Sequence, residues 1–399
     1  MGAPAARAAE LSRHWARMGH EATVLTGFPN HPTGVVPEDW RPRFHQLLYT
    51  ETVDGVRVVR TWLWPLPNRK AHERIRNYAS FCISAAVSGL NVPKPDVVIA
   101  TSPQLLCALA GWWIAFWKRV AFVFEVRDLW PESLAAVGAG SEASLLHRTL
   151  GAIAGFLYRR ADRIVVVSPA FKDHLIRHWN VPAEKVSVVE NGVETDLFRL
   201  DPAASEVRKQ RKLENRFLIC YIGTMGNAHG LDTLIAAAEE LQTALPSAMF
   251  LLIGEGAEKE RIVELAAARG LANIRFLGQQ PRERIPAYVS SADLCLVTLK
   301  KTELFKTVIP TKLLEYMACG RPVVVAVDGQ ARQIVEQAGA GVFVEPENGK
   351  ALVNAILGLA EDPERRRRMG ASGRQYIVSK YSREETARDY IAVLEALGV

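Results

Sequence analysis

Residues 217–231 read FLICYIGTMGNAHGL, six mostly apolar residues that run into a turn carrying Gly223, Gly226 and Gly230. An apolar run of that length, closed by glycine, reads as a strand covered on both faces. The same unit recurs downstream. Met249–Ile253, Ile274–Leu277, Leu294–Val297, Val323–Val327 and Gly341–Val344 read as strands separated by helices. Upstream, Ala22–Leu25, Val56–Val59, Val97–Ala100, Ala121–Glu125, Ile164–Val167 and Val186–Val189 read the same way. Helical patterns lie between many of them, near 3–18, 75–90, 104–117, 142–160 and 169–178. Apolar strands alternating with helices argue for parallel sheets with helices on both faces.

Two such series predict an α/β chain of two Rossmann-like, doubly wound domains. The pattern lapses between 191 and 215, through Asn191-Gly192, Asp201-Pro202 and the charged stretch Glu206–Arg216. The expected division is residues 1–195, residues 196–381, and an amphipathic helix within 382–399 that crosses back to the first domain. A doubly wound domain normally opens with a strand that leads into a glycine turn and a helix. Here the helix near 3–18 comes first, with Gly2 in the place of that glycine. The expectation is that the first strand of the N-terminal domain is missing.

The 399 residues are 49% apolar and 23% charged, which excludes disordered, collagen-like and disulfide-stapled chains. A net charge of +6 and a pI of about 9.1 suit anionic ligands or an anionic membrane face. No zinc-finger spacing or RNP-type aromatic motif supports nucleic acid as a partner. The five cysteines are scattered singly and read as reduced core thiols. With no basic-then-apolar leader and no apolar run of about 18 residues, a cytoplasmic location is expected.

The strongest chemical constellation is Ile309–Pro322, IPTKLLEYMACGRP. Pro310 stands where proline favours a helix start, and the open N–H groups of that first turn can hold an anion. Thr311 adds a hydroxyl and Lys312 a charge at the same end. Glu315 follows one turn later, where a carboxylate can accept both hydrogens of a ribose diol. The alternative is an ordinary amphipathic helix with a surface Lys–Glu pair. Gly223 and Gly226 let backbone approach a diphosphate, with His229 in the same turn, or they form a plain strand–helix turn. Glu255, in the turn IGEGAE at 253–258, either meets the ligand or starts a helix. Leu277 and Gly278 line a base pocket in the first of these readings.

In the N-terminal half, FEVRDLWPES at 124–133 puts Arg127 and Asp128 at the carboxyl end of a strand, where open α/β sheets bind ligands. They are ligand-facing residues or a structural pair. His31, in GFPNHPTG at 27–34, is the acid/base candidate of its loop. No D-x-D triad or ligand cluster supports a metal, and no nucleophile elbow is present.

These stretches, with the junction VENGVETDLF at 189–198 and KLLEYMACGRPVV at 312–324, resemble glycosyltransferase family 4 over essentially the whole chain. GAPAARAAELSRHWARMGHEATVLTGFPNHPTG at 2–34 and FEVRDLWPES resemble its WbuB-like branch of O-antigen, capsule and colanic-acid transferases. The resemblance implies a GT-B fold with an interdomain cleft and the nucleotide-sugar donor mainly on the second domain. It implies metal-independent transfer with retention and no cofactor, the nucleotide sugar being a substrate, and a uridine diphosphate donor such as one carrying an N-acetylated amino sugar. Glu315 matches the second glutamate of the family's E-x7-E motif, while Thr307 replaces the first. Lys306, Thr311 and Lys312 then take the diphosphate, with Lys312, Lys306, Arg127 and Asp128 as catalytic candidates. Gly2 and His31 face the acceptor, a lipid-linked glycan. Trp62, Trp64, Arg69, Lys70, Arg74 and Arg76 before an apolar helix suggest peripheral contact with an anionic membrane. Trp112, Trp113, Phe116 and Trp117, followed by Lys118-Arg119, either extend that contact or fill the core. A non-hydrolysing nucleotide-sugar epimerase of the same architecture, a dinucleotide oxidoreductase and a truncated non-catalytic remnant are the rival readings.

Overall fold

The computed structural model describes residues 3–30, 34–67, 71–133 and 144–398. It forms two units, Gly2–Glu190 with Thr386–Val399, and Asn191–Glu385. In the first, β1 (Thr23–Gly27), β2 (Leu48–Val53) and β3 (Val56–Thr61) make one sheet in the order β1-β3-β2. β1 and β3 are parallel, and β2 and β3 antiparallel. β4 (Val97–Thr101), β5 (Ala121–Val126), β6 (Arg163–Val166) and β7 (Val186–Val188) make a second, parallel sheet in chain order. The expected strands are present. β2 is an addition. Its hairpin turns at Asp54 and Gly55, with φ of 51° and 81°, and two positive φ values are what a tight turn matching strand twist needs.

The second unit holds one six-stranded parallel sheet. β8 (Phe217–Ile222), β9 (Ala248–Ile253), β10 (Ile274–Phe276), β11 (Leu294–Thr298), β12 (Val323–Ala326) and β13 (Gly341–Phe343) are ordered β10-β9-β8-β11-β12-β13. Alternate residues of β8 enter different cores. Leu218, Cys220 and Ile222 pack with Leu313, Met317 and Val335. Ile219 and Tyr221 pack with Leu234, Ile262 and Ile356 on the other face. Both faces are therefore covered by helices, which is why these strands are continuously apolar.

The helix Arg383–Glu395 sends Ala387, Tyr390 and Leu394 into a core with Leu11, Val123, Val165 and Val189 of the first unit. Trp15 donates from its indole to the Ala387 carbonyl at 3.1 Å and meets the Tyr390 ring edge-on at 5.2 Å. All five cysteines are free, and Cys220, Cys295 and Cys319 are buried.

A buried ion pair ties the helix Ala3–Arg17 to β5. Arg7 Nε lies 2.9 Å from Glu125 Oε1, with the two side chains 2% and 7% exposed. The same guanidinium donates to the carbonyls of Val189 at 3.0 Å and Glu190 at 2.9 Å. Burial opposes ionisation of Glu125, but the charges of Arg7 and Arg127 outweigh it and hold the carboxyl below its usual range.

Breaking such a pair on one side leaves a charge buried without compensation. Arg7→Ala should therefore destabilise the protein by about 3–5 kcal/mol, read by chemical denaturation. Arg7→Met with Glu125→Leu should recover most of that loss. A folded pKa below the unfolded one means the pair's contribution is present above about pH 4.3 and is lost as pH falls through the lowered value. A single variant within about 0.5 kcal/mol of the parent, the range of ordinary surface changes, refutes this account.

Candidate functional site

In an open parallel sheet the chain leaves neighbouring strands in opposite directions where the strand order reverses, and a crevice opens at their carboxyl ends. Here that point lies between β8 and β11. β8 ends in Gly223, whose φ is 149°, and the turn after β9 carries Gly254 at φ 144°. A Cβ on Gly254 would sit 1.9 Å from the Gly223 carbonyl oxygen. The two turns thus pack backbone on backbone, as only glycine permits. Gly226 has a φ of −111°, and a Cβ there would make only ordinary contacts, 3.6 Å from Thr224 Cγ2, so its position does not require glycine.

The helix Thr311–Ala318 begins beside this turn. Tyr316 pins it there, because its hydroxyl accepts from Ile222 N at 2.7 Å and donates to Ile222 O at 2.9 Å. Pro310 precedes the helix and no side chain caps its first turn. Lys312 extends from that turn across Gly223. A Cβ on Gly223 would lie 2.7 Å from Lys312 Nζ, and Nζ sits 3.9 Å from the centre of the Tyr221 ring. The stem of Lys312 is partly open, but its nitrogen is sealed from solvent and has no hydrogen-bond partner. Burial pulls its pKa down to about 7, with the Glu315 charge opposing. A buried, unsatisfied cation over a glycine turn and a helix start is a site for an anion.

His229 belongs to the short turn Asn227–His229, held by the Thr298 hydroxyl on its carbonyl at 2.7 Å. Burial and the Lys312 charge push its pKa down to about 3, and Nδ1 is buried without a partner. The imidazole is neutral near pH 7. In the free protein it therefore offers hydrogen bonding and no charge.

Glu315 pairs with Arg282, Nη1 to Oε1 at 3.1 Å, and the guanidinium stacks 5.1 Å from the centre of the Phe198 ring. Arg282 and Tyr316 are the residues that sequence reading missed. For Arg282 a signal existed, the charged run Arg282–Arg284 just past the glycine that follows β10. Glu255, in the turn after β9, pairs with Lys259 at the start of the following helix at 2.6 Å, and its Oε1 lies 3.2 Å from the place of a Cβ on Gly278. The Leu277 N–H donates to Leu252 O at 3.0 Å, and its carbonyl accepts from Gln280 at 2.9 Å. The backbone N–H and carbonyl of Leu277 are thus engaged within the protein. Lys306 is 40% exposed and pairs with Glu303 at 2.7 Å. Its backbone passes close to Gly329, where a Cβ would lie 2.1 Å from the Lys306 carbonyl oxygen.

In the other unit, Arg127 and Asp128 follow β5 as expected. Both backbone N–H groups donate to the Ser102 hydroxyl, at 2.8 and 3.1 Å. The Asp128 carboxylate accepts from the Ser133 hydroxyl and, at 3.3 Å, from Trp130 Nε1. Burial pushes that carboxyl up against these bonds. Arg127 lies beside the charge of Glu125. Gly2 and His31 lie outside the described residues, as do Arg69 and Lys70. Among the described residues no group of His, Cys, Asp or Glu could hold a metal ion, and no helix is long and apolar enough to cross a membrane.

Residues 2–192 match the glycosyl transferase 4-like domain, and residues 204–376 match the glycosyl transferases group 1. The colanic acid biosynthesis glycosyl transferase designated WcaI, from Escherichia coli K12, is 27% identical over 96% of this chain and 93% of its own. Sucrose-phosphate synthase from Thermosynechococcus elongatus shares the fold, with a TM-score of 0.77 at 22% identity over 97% of this chain and 92% of its own. HepE of Anabaena, solved in complex with UDP, gives 0.70 at 17% identity over 94% of this chain and 100% of its own. Two α/β units, each matched by a glycosyltransferase family model, place the chain in glycosyltransferase family 4, with the GT-B fold, in the bacterial branch of the colanic-acid type, and make it a glycosyltransferase.

Proposed function

We propose that this enzyme moves a sugar from a uridine diphosphate donor to a lipid-linked glycan, with retention of configuration and without a metal, in cell-surface polysaccharide synthesis at the cytoplasmic membrane face. The observation that carries the donor half is the Lys312 ammonium group, sealed against Gly223 and over the Tyr221 ring with no hydrogen-bond partner. A diphosphate at the first turn of the helix Thr311–Ala318 would supply that partner and use the open N–H groups. The solved UDP complex of HepE supports the choice of nucleotide, and the designation of WcaI supports the polysaccharide setting.

In this scheme the bond between the sugar's anomeric carbon and the diphosphate oxygen breaks. A bond to the acceptor hydroxyl oxygen forms on the same face. The hydroxyl proton passes to the departing diphosphate, so no strong protein base is required. The protein's part is positioning and stabilisation of the charge that develops on the leaving group. Lys312 and the helix start are assigned that role. Glu315 is assigned the ribose diol, which must share or displace Arg282. Lys306 is assigned a supporting charge, and Arg127 and Asp128 the acceptor. Glu255, His229 and Leu277 border the donor. The nucleotide sugar is a substrate, and no cofactor is needed.

Lys312 gives the direct test. A bound diphosphate stabilises its charged form, so UDP binding near pH 8 should take up close to one proton, read by calorimetry in buffers of different ionisation enthalpy. Affinity should fall as pH rises above about 7. Lys312→Met should abolish the uptake and lower turnover by roughly 100-fold or more. Unchanged proton uptake in that variant would remove Lys312 from the site.

The ribose assignment has its own control. Glu315→Ala should weaken UDP binding by roughly 10–100-fold, the worth of hydrogen bonds to a charged group. It should leave binding of 2′,3′-dideoxy-UDP unchanged. Equal losses for both nucleotides would show that Glu315 acts elsewhere.

A further inference from the structure

Glu315 has a cation on either side. On its own helix, Thr311–Ala318, Lys312 comes three positions earlier, a spacing at which side chains are neighbours on the helix surface. From across the crevice, Arg282 Nη1 lies 3.1 Å from Glu315 Oε1. The Arg282 and Glu315 side chains are 22% and 18% exposed, so solvent screens their attraction only in part. The carboxylate is thus bonded to the distant arginine, while the nearby Lys312 Nζ has no hydrogen-bond partner. An acid placed to pair with the lysine is held away from it.

The surroundings of Arg282 fix it in that position. It opens the short turn Arg282–Arg284, entered through Pro281 at a φ of −55°. Its guanidinium stacks 5.1 Å from the centre of the ring of Phe198, which is fully buried. Arg374 donates to the Phe198 carbonyl at 3.2 Å and also to the carbonyl of Ala318, at the end of the helix that carries Glu315. The shelf beneath Arg282 and the helix of Glu315 are therefore fastened together. Arg284, two positions on, turns to another ring and lies 5.8 Å from the centre of Tyr288. The other groups facing Lys312 bring it no negative charge. Burial pushes the Tyr221 hydroxyl far above its ordinary pKa, and that hydroxyl donates to the Thr224 carbonyl at 2.6 Å. His229 is neutral near pH 7. Among the described residues, Glu315 is the acid whose charge reaches Lys312.

We propose that Arg282 is a positioning residue: seated on Phe198, it holds the Glu315 carboxylate off Lys312 and so leaves the lysine open to the diphosphate of the donor. This role rests on the donor site assigned above to Lys312 and Glu315. Without Arg282, the cation nearest to Glu315 along the helix is Lys312. Their pairing would satisfy the lysine within the protein, and a diphosphate would then have to displace a carboxylate of its own sign. The same hold keeps Glu315 in one place for the ribose diol.

The test follows Lys312 itself, with no ligand present. The full chain is prepared with lysine isotopically labelled at Cε, and the NMR signal that Lys312→Met removes is followed through a pH titration. In the parent its midpoint should lie near 7. In Arg282→Met, which keeps an apolar stem on Phe198, Glu315 should turn to Lys312 and raise that midpoint by about one to three pH units, the effect of an opposite charge at close range. In Arg282→Met with Glu315→Gln the midpoint should return to the parent value or fall below it. Calorimetry with UDP is run on the same proteins. Arg282→Met should bind UDP about tenfold or more weakly near pH 6.5, and should lose the proton uptake near pH 8, because its lysine is already charged. An unchanged midpoint in Arg282→Met overturns the proposal, as does a rise that persists in the double variant. An arginine with a structural role alone would lower thermal stability and leave the midpoint in place. Arg282→Gln is read instead if the methionine variant fails to fold. A set of proteins that titrates as expected but does not bind UDP keeps the role of Arg282 and loses the proposed donor. A parent that binds UDP with proton uptake, and a midpoint that ignores Arg282, do the reverse.

Discussion

Burial of the Lys312 amino group is the constraint around which the C-terminal unit is arranged. A cation sealed from water without a partner is costly, and several features hold it there. Tyr316 fastens the helix to the end of β8. The ring of Tyr221 forms the floor beneath Nζ. Gly223 leaves room for the side chain to pass, where any larger residue would collide with it. The sheet order sets these pieces at the crevice between β8 and β11. The apolar strands on both sides supply the rigidity that keeps an unsatisfied group in place.

The other unit handles buried charge in the opposite way. Arg7 and Glu125 are as inaccessible as Lys312 Nζ, yet the pair is closed by two backbone carbonyls. A satisfied buried pair fixes the geometry of its surroundings. In this case it joins the first helix to β5, whose carboxyl end carries Arg127 and Asp128. Ser102 completes that arrangement by accepting from both of their backbone N–H groups. One unit therefore closes its buried ion pair with backbone carbonyls, and the other buries a lysine nitrogen that has no hydrogen-bond partner.

The sheets were legible because their strands are covered on both faces and so stand out as unbroken apolar runs. β2 was not, because Leu48–Val53 alternates and lies mostly exposed. The Asp54-Gly55 turn beside it was the readable signal. The helix start at Thr311 and the glycine turn at 223 were legible as parts, since each is local in sequence. Their meeting was not, because Lys312 and Gly223 are 89 positions apart and only the fold brings them together. Arg7 and Glu125, 118 positions apart, escaped for the same reason. Arg282 was hidden among neighbouring charges that remain in solvent. For Trp113, Phe116 and Trp117, the sequence allowed either core or surface, and burial of the opposite face of their helix decided it.

The choice of lysine at 312 follows from its ability to lose a proton. A guanidinium stays charged at any accessible pH, so an arginine in the same pocket would bear the full cost of desolvation whenever the site lacked its ligand. With its pKa drawn down to about 7, the lysine spends much of its time neutral at physiological pH. That reduces strain in the free enzyme. The charge returns when an anion arrives to share the space, so the electrostatic gain comes with the ligand and in a sealed site where it is least screened. The neighbouring His229, neutral and with its Nδ1 buried, adds polarity without competing for that charge. In the proposed reaction, a diphosphate leaving group, whose negative charge grows as the glycosidic bond breaks, would draw most from this arrangement.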